Sequence, residues 1–423
     1  MMLQTTEQRL KRIAYVTTTI LFISWLIDYI DRLVITLALP SIGKQFHLNS
    51  VEEGAIMSIF FFTYAICQIP GGILADRFGA KKTMTVAMTA WSVFTALTGA
   101  AGNYVVLMIV RFFFGVSEGI FPGASMKAIA ERTSQKARLT ANGTMVASNS
   151  LGSALAPLIA APAIAAVGWQ HSFYWVAGLG IIMAVVLWFG LPKQTVTSIQ
   201  GESTASHREY AGEHLSPAQV LRKGVMWKFF LMFMGMDIAA WGLVSWVPSY
   251  LMTQKHLSLS GAGVLTSIPF FAGTISTILG GWLFDKYFYR RHRWLIVPSM
   301  VLAGLFLFLM LSSNSLHEFI VYETIGAFCI YMAFQPIMGL PMRILSSKIL
   351  GVGSAIVNFG GQVGGVLSPI VMGALVGSVS YQAAFGFLVF GVLLAAACSL
   401  WIPQSPEHFD TVISGNEVSQ SLS

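Results

Sequence analysis

The chain contains twelve long apolar segments that are separated by short polar loops. An α-helix needs about twenty mostly apolar residues to cross the ~30 Å hydrocarbon core of a bilayer. The predicted spans lie near residues 13–39, 53–75, 83–101, 104–126, 138–163, 172–191, 226–252, 261–284, 294–312, 317–340, 349–376 and 381–402. Only 10% of the residues are charged, whereas about a quarter are charged in an ordinary soluble domain. We therefore predict an all-α membrane protein with twelve transmembrane helices, surrounded by the lipid bilayer.

The basic residues are distributed unequally between the two sides of the predicted membrane. If the N-terminus is cytoplasmic, 21 of the 25 Lys and Arg residues lie on the inside, and only Lys44 and Lys255 lie outside. Short loops rich in Lys and Arg stay on the cytoplasmic side, so both termini are predicted to be cytoplasmic. The net charge of +7 is thus an orientation signal, and we expect no nucleic-acid partner.

The sequence repeats itself in two halves. Residues 71–77 (GGILADR) recur 209 positions later as residues 280–286 (GGWLFDK). Two further matches have an offset of 212: Gly152 and Pro157 with Gly364 and Pro369, and Trp169, Gln170 and Phe173 with Tyr381, Gln382 and Phe385. Such repeats predict two pseudo-symmetric six-helix halves, a substrate site at their interface and alternating access by rocking of one half against the other.

The only long polar segment inside the chain divides these halves. It covers residues 192–225 and is predicted to be a cytoplasmic linker. The N-terminal half then comprises residues 1–191, the C-terminal half residues 226–402, and a cytoplasmic tail residues 403–423.

Enzymatic and metal-binding motifs are absent from the sequence. It contains no H-E-x-x-H motif and no phosphate-binding G-x-x-x-x-G-K-[ST] motif. Cys67, Cys329 and Cys398 lie apart within apolar segments, which argues against disulfides and a metal cluster. We therefore predict that the chain is not an enzyme or a membrane sensor and that it has no cofactor and no metal.

The loop between spans 2 and 3 resembles the hallmark loop of the major facilitator superfamily. Gly72 is followed by Asp76, Arg77, Gly79 and a pair of lysines in the spacing of that loop. The resemblance implies that Asp76 and Arg77 have a gating role, in which they latch the loop to neighbouring helices in one access state. A charge pair at a helix end can form in one state and break in the other. Simple interfacial charge is the alternative.

A narrower resemblance is to the anion:cation symporter family. It is carried by residues 28–32 (DYIDR) with Pro40, 64–72 (YAICQIPGG), 111–122 (RFFFGVSEGIFP), 131–132 (ER) and 246–251 (WVPSYL). This family includes proton-coupled uptake systems for sugar acids and related organic anions, and sialin-like carriers. The resemblance implies a multi-pass protein of a bacterial inner (plasma) membrane, whose partners are a small organic anion and protons. We expect a monomer.

Five charged residues lie inside predicted spans 1 and 4: Asp28, Asp31, Arg32, Arg111 and Glu118. An ionisable residue at membrane depth costs several kcal/mol unless it is paired or faces a wet cavity, so these residues are functional candidates. Arg111 and Glu118 share a helix face because they are two turns apart. Arg32 can pair with Asp28, four residues before it.

The members of this cluster suit different roles. Proton coupling needs a carboxylate whose protonation depends on the conformational state, and Asp31 and Glu118 fit this role. Arg32 can bind a substrate carboxylate through two parallel hydrogen bonds. The family resemblance supports Arg111 as a coupling switch that competes for Glu118. The alternative is that these residues form a purely structural set of salt bridges. For Asp28 the sequence does not decide between a functional and a structural role.

Neutral polar residues on the spans could form hydrogen bonds with substrate hydroxyls or with neighbouring helices. By resemblance, the favoured substrate-binding residues are Tyr29, Tyr64, Asn149 and Asn358. Asp237 corresponds to Asp28 at the repeat offset of 209, and is either a second-half cavity residue or a relic of the repeat. Glu323 lies early in span 10, where we expect an interfacial location.

These features predict a proton-coupled symporter that imports an organic anion by alternating access. The favoured cargo is a sugar acid, namely an aldonate, a hexuronate or an aldarate. Spans 7 and 8 are rich in large apolar side chains, so an aromatic or other carboxylate is the second candidate for the cargo. A proton-antiport exporter is less favoured, because Arg32 and Arg111 suit an anionic cargo.

Overall fold

The computed structural model describes residues 2–193, 219, 222–288, 291–345 and 347–404, and these residues form twelve α-helices. The helices are α1 (Met2–Phe46), α2 (Ser50–Phe78), α3 (Ala80–Gly99), α4 (Tyr104–Gly119), α5 (Phe121–Arg132), α6 (Gln135–Gly190), α7 (Gly224–Thr253), α8 (Leu259–Lys286), α9 (Arg293–Leu311), α10 (Leu316–Ile344), α11 (Ser347–Ser378) and α12 (Tyr381–Leu400). Most of the predicted linker (192–225) and tail (403–423) lies outside the described residues.

Local sequence explains where several helices begin. Asn49 caps α2 and Ser315 caps α10, and each forms a capping box with a glutamate three residues later. Asn103 caps α4, and its side chain accepts a hydrogen bond from the backbone N–H of Val106. Asn103 and Ser315 are 212 residues apart, so the internal repeat extends to the helix starts.

Three predicted spans do not correspond to one helix each. Predicted spans 138–163 and 172–191 both fall on α6, whose helical backbone is interrupted at Gly168 (φ 80°). Predicted span 104–126 is divided between α4, which ends at Gly119, and α5, which has Pro122 in its first turn. Pro is well tolerated there because the first N–H groups of a helix have no intrahelical acceptor.

The helices have the composition of a membrane protein. Nine helical segments of the described chain are long and apolar enough to cross a membrane, and α1 and α3 are not among them. One of the nine, Thr140–Gly190, contains the break at Gly168 and is long enough for two spans. Counting it as two spans, together with α1 and α3, gives the twelve spans of the sequence prediction.

The chain divides into two compact units. Unit 1 comprises Met1–Glu202 and Val247–Phe270, and unit 2 comprises Ser203–Trp246 and Phe271–Ser423. In unit 1, α6 packs along α1 and α3, and α2 packs along α4. In unit 2, α9 packs between α10 and α12. The domain boundaries derived from the sequence stay a prediction.

Candidate functional site

The guanidinium of Arg32 is the centre of a buried charge cluster in unit 1. Arg32 Nη2 donates a hydrogen bond to Asp28 Oδ2 over 3.2 Å and forms an ion pair with Glu118 Oε2 at 3.0 Å. The three side chains are between 1% and 3% exposed. The pairing of Arg32 with Asp28, expected from their spacing, is confirmed, and the contact with Glu118 joins α1 to α4.

Asp28 and Glu118 both contact Arg32, and each keeps acceptor atoms free. Asp28 Oδ1 and Glu118 Oε1 are buried and have no hydrogen-bond partner among the described residues. Arg32 therefore lies against two acids at once, and Asp28 is part of the cluster.

Asp31 lies one helical turn from Asp28 and contacts a different helix. Thr95 Oγ1, on α3, donates a 2.6 Å hydrogen bond to Asp31 Oδ2. Asp31 and Thr95 are both buried, and Asp31 Oδ1 has no hydrogen-bond partner in the described part of the chain. Asp31 is thus held by a neutral donor rather than by direct bonds to a cation.

Arg111 is fully buried on α4, and none of its three guanidinium nitrogens has a hydrogen-bond partner among the described residues. Its guanidinium carbon lies 4.4 Å from the ring centre of Phe114 and 5.5 Å from that of Phe60. Asp31 and Glu118 are near enough to interact electrostatically with it. In this conformation Arg32, rather than Arg111, holds Glu118 as an ion pair.

Two of the predicted substrate-binding tyrosines contact Arg32. The Arg32 guanidinium carbon lies 4.7 Å from the ring centre of Tyr29 and 4.8 Å from that of Tyr64. Asn149 lies on α6, one turn before Gly152, where an added Cβ would be 2.8 Å from Tyr29 Cβ. The Asn149 side-chain oxygen is buried and has no hydrogen-bond partner among the described residues. Unit 1 therefore brings Tyr29 and Tyr64 against Arg32, and it places Asn149 one turn from the contact between α6 and Tyr29.

Small residues on α4 set the position of Glu118. A Cβ added at Gly119 would lie 2.6 Å from the backbone oxygen of Tyr64 and 3.0 Å from Cys67 Cβ. A Cβ added at Gly115 would collide with Thr63 Oγ1 and would lie 2.6 Å from the backbone oxygen of Phe60. This spacing of two glycines four residues apart allows helix backbones to approach closely in membranes. This close approach of α4 to α2 places Glu118 next to α2 and α1.

The predicted gating residues lie at the end of α2. Asp76 Oδ1 forms an ion pair with Lys127 Nζ on α5 at 2.9 Å, and Lys127 also donates to the backbone oxygen of Ala75. Arg77 is exposed, and its guanidinium carbon lies 5.4 Å from the ring centre of Phe78. The loop is therefore joined to α5 through Asp76.

The remaining sequence candidates belong to unit 2. Asn358 lies on α11 and is half-buried. Glu323, for which we expected an interfacial location, is only 2% exposed, and its Oε2 has no hydrogen-bond partner in the described part of the chain. Phe319 and Ala327, one turn before and after it on α10, are buried as well. Glu323 therefore lies within the packed helices.

Sequence reasoning missed Phe60, Thr95 and Lys127. Phe60 contacts both guanidinium groups, at 5.3 Å from Arg32 and 5.5 Å from Arg111. Apolar and hydroxyl side chains are so common in membrane helices that their type gives no signal. Lys127 has a signal, because it is a basic residue near the same predicted membrane surface as Asp76.

Comparison with known proteins identifies the family. The model of the Major Facilitator Superfamily matches residues 21–352 and 262–421, which together cover most of the chain. A "Probable L-galactonate transporter" of Escherichia coli (strain K12) is 26% identical over 408 residues, covering 93% of this chain and 90% of the relative. A "Hexuronate transporter" of Bacillus subtilis (strain 168) is 28% identical, with coverage of 88% and 92%. A "Probable sulfoacetate transporter SauU" of Cupriavidus necator is 28% identical, with coverage of 94% and 95%.

Solved structures share the fold. A bacterial homolog of the human lysosomal transporter Spinster, in an inward-facing and unoccupied conformation, superposes with a TM-score of 0.75 at 18% identity. The match covers 95% of this chain and 97% of that chain. The predicted twelve-helix fold and the superfamily resemblance are thereby confirmed. The protein is therefore a multi-pass membrane transporter, not an enzyme, and it belongs to the major facilitator superfamily.

Proposed function

We propose that this transporter imports a sugar acid together with protons across the cell inner membrane by alternating access. The observation that carries the proposal is the pairing of Arg32 with two carboxyl groups, those of Asp28 and Glu118, in a buried cluster flanked by two tyrosines. A guanidinium can bind a carboxylate through two parallel hydrogen bonds, so the same group suits the carboxylate of an organic anion.

Charge balance links anion binding to protons. The cluster holds three buried carboxyl groups and two buried guanidinium groups, so it carries one excess negative charge when fully ionised. An incoming anion adds a second negative charge at membrane depth, where unpaired charge is costly. Protonation of carboxyl groups removes this excess. Anion and proton binding therefore support each other in this cluster.

Glu118 is the proposed site at which protonation frees Arg32. When Glu118 is ionised, it occupies Nη2 of Arg32 at 3.0 Å. When Glu118 is protonated, it no longer competes as an anion, and Arg32 can turn toward the substrate carboxylate. Asp31 is proposed as a second proton site, and Arg111 as the cation that takes over an ionised carboxylate later in the cycle. Tyr29, Tyr64 and Asn149 then offer hydroxyl and amide groups to the substrate.

The relatives support a sugar acid as the cargo. Their names include L-galactonate, hexuronate and galactarate/D-glucarate transporters, and each matches 88% or more of this chain. One relative is named a probable sulfoacetate transporter, which favours a small anion without sugar hydroxyls as the second candidate. Both cargoes would use Arg32 as the anion anchor, so their discrimination depends on the groups that read hydroxyls.

Gating, membrane location and assembly belong to the same proposal. Asp76 is proposed to latch the end of α2 to α5 through Lys127 in one access state, with Arg77 available for another partner in the alternate state. The transporter is proposed to function as a monomer with both termini in the cytoplasm, in line with the distribution of its basic residues.

Replacement of Arg32 tests the proposal. The purified protein is screened by ligand-induced thermal shift against D-galactonate, D-glucuronate, D-glucarate, sulfoacetate and benzoate. We expect sugar acids to shift the wild type and Arg12→Ala, an exposed control, but not Arg32→Ala. Arg32→Lys keeps the charge without the planar fork, so it should fold and bind more weakly. A full shift in Arg32→Ala would remove Arg32 from the site, and a shift by benzoate or sulfoacetate alone would exclude a sugar acid.

A further inference from the structure

Two basic side chains hold the C-terminal end of α12 in unit 2. The last carbonyl groups of a helix have no partner within it, and α12 ends at Leu400. Arg293, the first residue of α9, donates from Nη2 and Nε to the backbone oxygen of Ile402 over 2.8 and 3.2 Å. Lys228 Nζ, on α7, donates to the backbone oxygen of Trp401 over 3.4 Å. These bonds join α7 and α9 to the end of α12, and we call them the α12 clamp.

The imidazole of His292 is buried next to this clamp. His292 directly precedes Arg293 and is 0% exposed. Neither Nδ1 nor Nε2 of the ring has a hydrogen-bond partner among the described residues. The backbone oxygen of His292 accepts hydrogen bonds from the N–H groups of Leu295 and Ile296, so the first turn of α9 fixes the position of the residue. A ring that is buried without partners is best tolerated in its neutral form.

The charged groups at this end of unit 2 are almost all basic. They are Arg222, Lys223 and Lys228 at the start of α7, Asp285 and Lys286 at the end of α8, Arg291 and Arg293 at the start of α9, Arg343 on α10 and Lys348 on α11, and α12 has none. Asp285 is the one acid of this set, and its side chain is exposed. A proton on His292 would therefore add a positive charge to a buried position that has a guanidinium next to it and no buried carboxylate among the described residues of this end.

This environment changes the titration of His292. Burial, together with the guanidinium of Arg293, lowers the pKa of His292 to about 4. A solvent-exposed imidazole has a pKa of about 6.5. Between these two values the ring stays neutral while it is buried and gains a proton when it reaches water. The closed arrangement is therefore fully favoured above about pH 6.5, and it loses stability relative to an open one as the pH falls toward about 4.

The first repeat has a similar clamp without a titratable neighbour. Lys81, at the start of α3, donates to the backbone oxygen of Leu191, directly after the end of α6, over 3.3 Å. Arg293 follows Lys81 by 212 residues, and His292 follows Ala80 by the same offset. Ala80 is only 1% exposed. The buried position before the clamping cation is thus apolar in unit 1 and titratable in unit 2.

We propose that His292 is a proton-sensitive lock for the α12 clamp, which closes around the neutral ring and opens when the ring takes up a proton. Opening moves the imidazole into water, where its charge is solvated, and separates Arg293 from the Ile402 oxygen. The lock needs no cargo, so this inference goes beyond the proposed function and does not depend on it. In the proposed topology this end of unit 2 faces the cytoplasm, so the lock responds to cytoplasmic acidification.

The thiol of Cys398 can report the opening of the clamp. Cys398 lies one turn before Ile402 and is 4% exposed. Replacement of Cys67 and Cys329 by Ala leaves it as the single cysteine of the full-length protein. The rate of its labelling by N-ethylmaleimide is measured at several pH values, with His292 intact and in His292→Phe, which cannot take up a proton. The ratio of the two rates at each pH cancels the intrinsic pH dependence of thiol reactivity.

We expect this ratio to rise about tenfold between about pH 7.5 and about pH 5.5, because each pH unit below the pKa of the exposed ring adds a factor of about ten in favour of the open state. His317→Gln is the matched control, since His317 is an exposed histidine of the same unit, and it should keep the full rise. Arg293→Gln removes the bonds to Ile402, so labelling should be fast at every pH. Slow labelling in Arg293→Gln would contradict the clamp itself.

A ratio that stays constant with pH would refute the lock, and so would a rise that disappears in His317→Gln. Titration of the histidine rings by NMR in the wild type tests the same inference even if His292→Phe fails to fold. We expect one ring to stay neutral at about pH 5.5 and its signal to be missing from His292→Gln. If every ring titrates near its ordinary value, His292 is not held buried, and the lock is refuted. None of these measurements uses a cargo, so their failure leaves the proposed function untouched.

Discussion

Glu118→Gln is the substitution that separates anion binding from proton coupling. Glutamine keeps the shape of the side chain but cannot ionise, so it imitates the protonated state of Glu118 permanently. In the structure Glu118 Oε2 lies 3.0 Å from Arg32 Nη2, and both side chains are buried. The variant removes this ion pair while leaving the 3.2 Å contact between Arg32 and Asp28.

The geometry sets the size of the effect. Two unit charges 3.0 Å apart attract each other by about 5.5 kcal/mol at an effective dielectric constant of about 20. Much of this attraction is offset by desolvation, and Asp28 still compensates Arg32. We therefore expect a stability loss at the lower end of the roughly 3–5 kcal/mol typical of a broken buried pair. If about 1–2 kcal/mol of competition for Arg32 disappears, the substrate binds about 5–30-fold more tightly.

Three measurements on reconstituted Glu118→Gln protein check the reasoning. The dissociation constant of the sugar acid should fall and should depend less on pH than in the wild type, because protonation of Glu118 no longer frees Arg32. Exchange of labelled for unlabelled substrate across the proteoliposome membrane should continue. Accumulation driven by an imposed proton gradient should be lost. Glu318→Gln is the matched control, since glutamine also completes its capping box.

Gradient-driven accumulation that persists in Glu118→Gln would refute the role of Glu118 in coupling. Loss of both exchange and binding would point to a structural role of the ion pair instead. Measurement of thermal unfolding in the absence of substrate distinguishes the second outcome, because a structural role predicts a stability loss clearly above the ~3 kcal/mol expected from the ion pair alone.

Three further substitutions probe the supports of the site. Gly119→Ala should destabilise the protein by about 1–3 kcal/mol and lower its melting temperature, because the new methyl group would lie 2.6 Å from the Tyr64 backbone oxygen. An unchanged melting temperature would contradict this packing. Thr95→Val removes the 2.6 Å hydrogen bond to Asp31, and such a bond to a charged acceptor is worth about 1.5–3 kcal/mol. We expect this variant to reduce proton-driven uptake. Thr95→Ser keeps the hydroxyl donor and should retain proton-driven uptake. Asp76→Asn breaks an exposed ion pair worth at most about 1 kcal/mol, so we expect slower uptake in initial-rate assays with unchanged melting and substrate affinity.

The number and character of the helices could be predicted from sequence because burial in lipid requires long apolar segments. The exact ends of the helices could not be predicted from the sequence. Gly168 and Pro122 mark the breaks in the structure, yet other glycines and prolines lie inside continuous helices, such as Pro70 and Pro269. Whether such a residue interrupts a helix depends on packing with neighbouring helices, which hydropathy does not record.

Part of the site could be predicted from the sequence for a similar reason. Contacts within one helix follow from spacing, so the pairing of Arg32 with Asp28 was expected and is confirmed. Contacts between helices depend on axial and rotational register. The ion pair from Arg32 to Glu118 and the hydrogen bond from Thr95 to Asp31 therefore emerged only from the structure. The burial of Glu323 could not be predicted either, because nearness to a helix end does not determine burial by other helices.

The internal repeat gives the same helix position two different chemical environments. Asp28 is joined by four other buried ionisable groups in unit 1, and Arg32, four residues later, pairs with it. Asp237 is followed at the same spacing by Trp241, and no ion pair among the described residues includes it. Unpaired charge is costly at membrane depth, so a carboxylate that must stay ionised in part of a transport cycle needs a cation within reach. One divergent side chain, Arg32 against Trp241, thus favours unit 1, and not the equivalent position of unit 2, as the place of the proposed coupling network.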